Sequence, residues 1–133
     1  MTTCFLIIED NAANMELVRY LLTFSGYEVL LARDGQQGLE IALREQPDLI
    51  ICDLQMPGLD GYQVLEQLRS RPQGAQAIVI AVTAFSMPND RQKVMTAGFN
   101  GYISKPIEPE NFVNQIESFL PERMRLPRPV PGH

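Results

Sequence analysis

Three acidic side chains follow two apolar runs, at positions where a parallel sheet would gather its ligand-binding groups. Glu9 and Asp10 follow the run at 4–8, and Asp53 follows the run at 49–52. Three carboxylates in one cleft repel one another, by about 1–4 kcal/mol per pair at 4 Å. A hard divalent cation offsets this repulsion, and Mg²⁺ is usual where carboxylates share an octahedron with waters and phosphate oxygens. The spacing therefore predicts a magnesium site.

A hydroxyl and an ammonium end two other apolar runs in the same way. Thr83 follows the run at 78–82, and Lys105 comes shortly after the run at 102–103. Lys105 is one of only two lysines in the chain, so its position at the end of a run is informative. Carboxylates, a metal site, a hydroxyl and an ammonium at four strand ends suit phosphoryl transfer. Asp53 would be the nucleophile, with the metal and Lys105 neutralising the phosphoryl oxygens.

Five apolar runs rich in β-branched residues are predicted to be the strands that position these groups. The central runs are almost wholly apolar, which is typical of a parallel sheet covered by helices on both faces. In an open sheet of this kind, ligands bind beyond the carboxyl ends of the strands, where the strand order reverses. The predicted strands are residues 4–8, 28–32, 49–52, 78–82 and 102–103.

Amphipathic windows between these runs predict five helices. The first window places Leu17, Leu21 and Phe24 on one face, with Val18 and Leu22 beside them, and Gly26 is positioned to end it. Strands alternating with helices predict a doubly wound α/β domain, with a five-stranded parallel sheet of order 2-1-3-4-5 in a (βα)5, flavodoxin-like arrangement. The predicted helices span residues 13–25, 36–45 and 62–71, with a fourth beginning near Pro88 and a fifth at Pro109.

The composition of the 133-residue chain is that of one globular domain, with 45% hydrophobic and 20% charged residues. Its net charge of −5 argues against the basic surface that nucleic-acid binding needs. No apolar run approaches the ~18 residues of a membrane span, and no basic segment opens a signal peptide. We therefore predict a cytoplasmic protein that contacts neither nucleic acid nor membrane.

The positions of the histidine and of the two cysteines limit which catalytic groups the domain can use. The single histidine is His133, so no imidazole lies in the predicted body of the domain. Cys4 and Cys52 lie in apolar runs that would be parallel strands, which predicts buried free thiols. We predict a domain over residues 1–120 and a disordered tail over residues 121–133, which is rich in proline and arginine.

Four short motifs together resemble the receiver domain of two-component response regulators. The resemblance covers roughly residues 4–120, and it is closest to stand-alone single-domain regulators and to the receivers of hybrid kinases. Each motif alone is weakly specific, but all four occur in order at the spacings of that family. The motifs are IEDN at residues 8–11, DLQMPGLDG at 53–61, VTA at 82–84 and SKPI at 104–107.

The resemblance implies a role for each acidic residue. Asp53 would be the phospho-acceptor, and Asp10, Asp53 and the backbone carbonyl of Gln55 would bind Mg²⁺, with Mn²⁺ as a substitute. Glu9 would contribute to the metal site directly or through water, although the family commonly has aspartate at this position.

The same resemblance implies how the signal would be read. Thr83 and Lys105 would bind the phosphoryl group, with a cis peptide bond after Lys105, and Tyr102 would rotate together with Thr83 on activation. A partner-binding surface would include Tyr102 and, between the fourth strand and the fourth helix, Phe85 and Met87.

These features predict a signalling switch that catalyses only its own phosphorylation and dephosphorylation. The phosphoryl donor would be a histidine kinase or a histidine phosphotransfer protein, and the output would go to a downstream protein target. Two alternatives stay open: a receiver domain excised from a hybrid histidine kinase, and a degenerate receiver that binds partners without phosphorylation. A phosphatase with an aspartate nucleophile needs a second acid two residues on, where Gln55 stands.

Overall fold

The computed structural model describes residues 3–84 and 88–126, which form five parallel strands in the order β2-β1-β3-β4-β5. This order confirms the predicted doubly wound sheet, whose strands alternate with helices along the chain. The third strand runs one residue further than predicted, so Asp53 is its last residue. The strands are β1 (Cys4–Ile8), β2 (Glu28–Ala32), β3 (Leu49–Asp53), β4 (Val79–Thr83) and β5 (Gly101–Ser104).

Five α-helices connect and follow the strands, and side-chain caps begin the first three. Asn11, Asp34 and Asp60 each accept a hydrogen bond from the backbone N–H three residues on. Gly26 follows the first helix with φ of 98°, as predicted for its end. No described helix is long and apolar enough to cross a membrane. The helices are α1 (Ala12–Phe24), α2 (Gly35–Glu45), α3 (Gly61–Arg69), α4 (Pro88–Ala97) and α5 (Pro109–Glu117).

The sheet separates two apolar cores. Every residue of β3 and β4 is buried, because helices cover both faces of these central strands. Cys52 is buried in β3 and Cys4 is partly exposed at the start of β1, and both thiols are free, as predicted. Burial is the main cause that raises the pKa of both thiols, so neither is activated for catalysis. The α2–α3–α4 side includes Leu39, Leu65 and Val94, and the α1–α5 side includes Leu22, Phe112 and Ile116.

The buried face of α1 differs from the face that the sequence predicts. Its buried side chains include Val18 and Leu22, whereas Phe24 is 81% exposed and stacks on Tyr20. Leu17, like Leu21, is half-buried at the margin of the core. The helix carries two adjacent apolar stripes, and hydrophobic periodicity alone does not say which one meets the sheet.

The first part of the C-terminal segment packs on the domain, in contrast to the disorder predicted for it. Residues Glu122–Met124 form a 3₁₀ turn, and the Thr3 hydroxyl donates to the Met124 carbonyl at 2.6 Å. The Leu126 N–H donates to the Tyr27 hydroxyl at 3.0 Å. Tertiary hydrogen bonds thus order a segment with little helical propensity of its own. Residues 127–133, the rest of the predicted tail, lie outside the described residues.

Tyr27 is expected to stabilise the C-terminal segment through its hydroxyl. The ring is buried against Phe5, and the hydroxyl donates a short hydrogen bond to the buried carboxylate of Glu117. Because hydrogen bonds to charged groups contribute about 1.5–3 kcal/mol, Tyr27→Phe should lower the free energy of unfolding by about 2 kcal/mol. Urea denaturation followed by circular dichroism would measure it. Tyr20→Phe, which alters an exposed ring, is the control, and an equal loss in both variants would contradict this role.

Candidate functional site

The carboxyl ends of β1 and β3 bring the three predicted acidic residues together. One carboxylate oxygen each from Glu9, Asp10 and Asp53 lie within 4.8 Å of one another. Glu9 and Asp53 are buried, whereas Asp10 is exposed. Ile8 pairs with Cys52 across the two neighbouring strands, so the residues that follow each strand meet at one edge of the sheet.

Lys105 places its ammonium between the two buried carboxylates. Its Nζ lies 3.2 Å from Glu9 Oε1 and 3.3 Å from Asp53 Oδ2, and the side chain is 20% exposed. The Lys105 N–H donates to the Thr83 carbonyl at 2.8 Å, which anchors the end of β5 to β4. The Lys105–Pro106 peptide bond is cis, as the resemblance implies. Burial disfavours the ammonium, but Asp53 and Glu9 outweigh it, so the pKa of Lys105 is raised.

Glu9 has an unusual affinity for a proton. Burial, followed by a side-chain hydrogen bond and repulsion from Asp53, raises the pKa of Glu9 to about 7. Lys105 and the Asn11 N–H, which donates to Glu9 Oε2 at 3.3 Å, act in the opposite direction. Near neutral pH, a proton and a metal ion would therefore compete for the same carboxylate.

Asp53 is oriented by the turn that follows β3. The Gln55 N–H donates to Asp53 Oδ1 at 3.2 Å, while the other carboxylate oxygen, Oδ2, faces Lys105. The Gln55 side chain is exposed. The metal-binding role predicted for the Gln55 carbonyl stays a prediction.

Thr83 and Tyr102 lie on the neighbouring strands β4 and β5. Thr83 ends β4 with 1% exposure and pairs with Ser104 of β5. Tyr102 is half-buried, and its hydroxyl accepts a hydrogen bond of 3.4 Å from the Ser104 hydroxyl. The switch role predicted for the pair stays a prediction. Phe85 and Met87, predicted for the partner surface, lie outside the described residues.

A cleft of about 280 Å³ extends from Thr83 and Gln55 between α3 and α4. The sequence reasoning did not identify the residues that the two helices contribute to it. Asp60 had a detectable signal as the capping residue of α3, but nothing in the sequence connects α3 with α4 across this cleft. The contributed residues are Asp60 and Tyr62 from the start of α3, and Asp90, Lys93 and Val94 from α4.

The arrangement is suited to binding a cation and a phosphoryl group side by side. Oxygen ligands from carboxylates are those that Mg²⁺ prefers. Lys105 places a positive charge beside Asp53, and Thr83 ends the neighbouring strand β4, whose Val82 pairs with Asp53. Negative charge that develops on phosphoryl oxygens at Asp53 would therefore be stabilised by groups that are already positioned.

Known proteins share both the sequence pattern and the fold. The model of the response regulator receiver domain family matches residues 5–117. The polar-differentiation response regulator DivK of Brucella ovis is 41% identical over 120 residues, which cover 90% of this chain and 98% of DivK.

Two solved structures show the likeness of the fold. The chemotaxis response regulator CheY4 of Vibrio cholerae matches with a TM-score of 0.85 and 27% identity, covering 90% of this chain and 100% of CheY4. The receiver domain of the sensor histidine kinase PA1611 of Pseudomonas aeruginosa PAO1 matches with a TM-score of 0.81 and 31% identity, covering 90% of this chain and 98% of that domain. That structure has a magnesium ion coordinated in its active site cleft.

Proposed function

Because this chain belongs to the response regulator receiver family, we propose that Asp53 accepts a phosphoryl group in a Mg²⁺-dependent reaction that switches a partner-binding surface. Receiver domains are signalling switches, and phosphorylation on an aspartate is general among them. The observation that carries the assignment to this residue is the position of Asp53. It is buried at the end of β3, with Lys105 on one side and two further carboxylates beside it.

The phosphoryl group would come from a phosphohistidine on another protein. A carboxylate oxygen of Asp53 attacks phosphorus, a P–O bond forms and the P–N bond breaks. The electron pair of the broken bond passes to the imidazole nitrogen, which takes up a proton. The chain has one histidine, His133, which lies beyond the family match. A histidine kinase or a histidine phosphotransfer protein is therefore the proposed donor, and the downstream target is another protein.

The residues present fit a bound Mg²⁺, which receiver domains use in general. Glu9, Asp10 and Asp53 offer three carboxylates within one ion's reach, and the Gln55 carbonyl is the proposed backbone ligand. When bound, Mg²⁺ would neutralise phosphoryl oxygens as they transfer. Lys105 supplies a second positive charge beside Asp53, which would hold the group after transfer.

The functional result of phosphorylation would be a change in the conformation of the domain. A phosphoryl group adds a charge of about −1.5 to −2 and three strong acceptor oxygens. Shifting a two-state surface from 1:99 to 99:1 requires about 5.5 kcal/mol of differential stabilisation. Hydrogen bonds to charged groups contribute about 1.5–3 kcal/mol each, so contacts from both Thr83 and Lys105 are needed to reach that range. The proposed output surface includes Tyr102.

The proposed reaction is tested by incubating the protein with acetyl phosphate and measuring its intact mass. One phosphoryl adduct is expected with Mg²⁺ and none after chelation, because the carboxylates need a cation to admit another anion. Asp53→Asn should form no adduct. Asp60→Asn is the matched control: Asp60 caps α3 nearby, and asparagine caps helices equally well, so this variant should be phosphorylated normally.

The result of this experiment also tests the alternative of a degenerate receiver. An adduct that persists in Asp53→Asn would place the acceptor elsewhere. No adduct in the wild type would favour a degenerate receiver that binds its partner without phosphorylation. In either case the proposed role of Asp53 would be wrong.

Thr83 is expected to transmit the signal without being needed for the chemistry. Thr83→Ala should still be phosphorylated by acetyl phosphate, but the amide resonances of α4 and β5 should shift much less than in the wild type. The reason is that the Thr83 hydroxyl would be the contact that draws the end of β4 toward the phosphoryl group. Thr83→Ser keeps the hydroxyl and should keep the shifts. Full-size shifts in Thr83→Ala would contradict the proposed role.

We further propose that the chain works as a stand-alone cytoplasmic regulator, with its domain in residues 1–120 and residues 121–126 packed on it. The curated relative DivK is itself covered to 98% by the match, which supports a one-domain architecture.

A further inference from the structure

Helix α4 is held to the domain by unusually few buried side chains. Among residues 89–97, only Val94 is buried, whereas α5 buries three residues that include Phe112 and Ile116. Segments with little buried apolar surface open at low free-energy cost. Each additional contact between α4 and its neighbours therefore contributes a large part of the free energy that holds the helix in position.

One aromatic ring on α3 supplies such contacts to both α4 and the turn that follows it. Lys93 of α4 places its Nζ 5.0 Å from the centre of the Tyr62 ring. Phe99, buried just after α4, meets the same ring edge to face at 5.7 Å between centres. Tyr62 thus contacts α4 near its middle and again at its exit.

The chemistry of the pair is suited to a cation–π interaction. Burial, followed by the charges of Asp90 and Asp60, raises the pKa of Tyr62, so the ring stays neutral at physiological pH. Within residues 3–84 and 88–126, no carboxylate lies in salt-bridge range of the Lys93 ammonium. The aromatic ring is therefore the group that Lys93 contacts directly in the described part of the chain, and Asp60 and Asp90 line the same cleft.

The pair also stands between two cavities. The cleft of about 280 Å³ that reaches Thr83 is lined by both Tyr62 and Lys93. A second groove, of about 480 Å³, lies further along α4 and is lined by the same two residues. Both members of the Tyr62–Lys93 contact therefore line the cleft that reaches Thr83 as well as the second groove.

We propose that the Tyr62–Lys93 contact is a latch that holds α4 in its resting position against α3. Opening the latch frees α4 to move away from α3 and exposes the cleft beside Thr83. Only four residues separate Thr83 from Pro88, the first residue of α4, so a displacement at the end of β4 is transmitted over a short stretch of chain. The regulatory use of the latch rests on the proposed function, whereas its existence does not.

The latch is tested in the unphosphorylated protein by amide hydrogen exchange. Lys93→Met removes the charge and keeps a long side chain, and Tyr62→Leu removes the ring. Each should speed exchange of the α4 amides about two- to five-fold, as expected for a cation–π pair at an exposed site, with α1 and α5 unchanged. Lys93→Arg keeps a cation over the ring and should exchange like the wild type. In the double variant, the Lys93 substitution should add nothing to the effect of Tyr62→Leu.

Three outcomes would overturn the proposal. They are α4 exchange that is unaffected by Lys93→Met, an increase that spreads equally to α1 and α5, and additive effects of the two substitutions. Treating the same variants with acetyl phosphate tests the latch and the phosphorylation of Asp53 separately. An adduct together with unchanged α4 exchange contradicts only the latch, and faster α4 exchange without any adduct contradicts only the phosphorylation of Asp53.

Discussion

Replacing Lys105 with methionine is expected to lower the free energy of unfolding by about 3 kcal/mol at about pH 8 without Mg²⁺, because removing one member of a buried ion pair leaves the other charges uncompensated. The ammonium is the only cationic side chain within salt-bridge range of Glu9 and Asp53 in the described part of the chain. Without it, two buried carboxylates face each other beside Asp10.

The loss of stability caused by Lys105→Met should be larger at high pH than at low pH. Glu9 has a folded-state pKa of about 7, above its ordinary value of 4.5. An acid with a raised pKa binds its proton more tightly in the folded state, so its contribution to stability falls as pH rises from 4.5 through 7. Removing Lys105 takes away a charge that lowers this pKa. At about pH 6, where Glu9 takes up a proton more readily, the variant should lose roughly half as much stability as at about pH 8.

Urea denaturation of the two proteins at both pH values would measure this difference. Adding Mg²⁺ at high pH should restore part of the stability of Lys105→Met, since a ligand that binds only the folded state stabilises it. Lys93→Met, which alters the other lysine at an exposed position, should cost much less than Lys105→Met and equally little at either pH. A loss that is the same at both pH values would show that the carboxylates do not respond to Lys105.

Replacing Gly61 with alanine is expected to destabilise the protein by about 3 kcal/mol and lower its Tm by roughly 10 °C. Gly61 begins α3 and is buried against the chain that follows Asp53. A Cβ at this position would lie 2.6 Å from the Asp53 carbonyl oxygen and 2.8 Å from the Leu54 Cα. Both atoms belong to the backbone, so the added methyl cannot be accommodated by a change of side-chain rotamer. The strand end that carries Asp53 must move instead, and phosphorylation by acetyl phosphate should slow.

Gly58 provides the matched control in the same loop. It has φ of 78°, and a Cβ there would meet nothing within 4 Å. Gly58→Ala therefore tests the left-handed conformation alone, at a cost of about 1–2 kcal/mol, without crowding Asp53. Thermal unfolding followed by circular dichroism, together with the rate of adduct formation, would rank the two variants. If Gly58→Ala slowed phosphorylation as much as Gly61→Ala, the close approach of Gly61 would not be what positions the acceptor.

The two sides of the site differ in how much of their structure is buried. On the side of β1 and β3, the carboxylates of Glu9 and Asp53 are buried and the chain after Asp53 packs closely on Gly61, which suits a group that must be in place before phosphoryl transfer. On the side of α4, little is buried and an open cleft reaches Thr83. Such asymmetry would allow chemistry and conformational response to occur at adjacent positions.

Much of the fold and of the candidate site follows from local patterns along the chain. Strands of a parallel sheet are buried on both faces, so each appears as a continuous apolar run, and its polar ending marks the ligand-binding edge. That reasoning places Glu9, Asp10 and Asp53 together, and the structure brings them within one metal ion's reach. Gly26 and the capping residue Asp60 similarly mark the end and the start of helices, because caps depend on neighbouring backbone groups.

Other features depend on contacts between residues distant in sequence, and no local pattern encodes them. Periodicity gives α1 two apolar stripes, and only its packing on the sheet leaves Phe24 exposed. The raised pKa of Glu9 results from burial beside Asp53, a neighbour on another strand. Residues 121–126 are ordered through partners more than ninety positions away. Lys93 is an ordinary surface lysine in the sequence, and it acquires a partner only because α3 and α4 meet across the cleft.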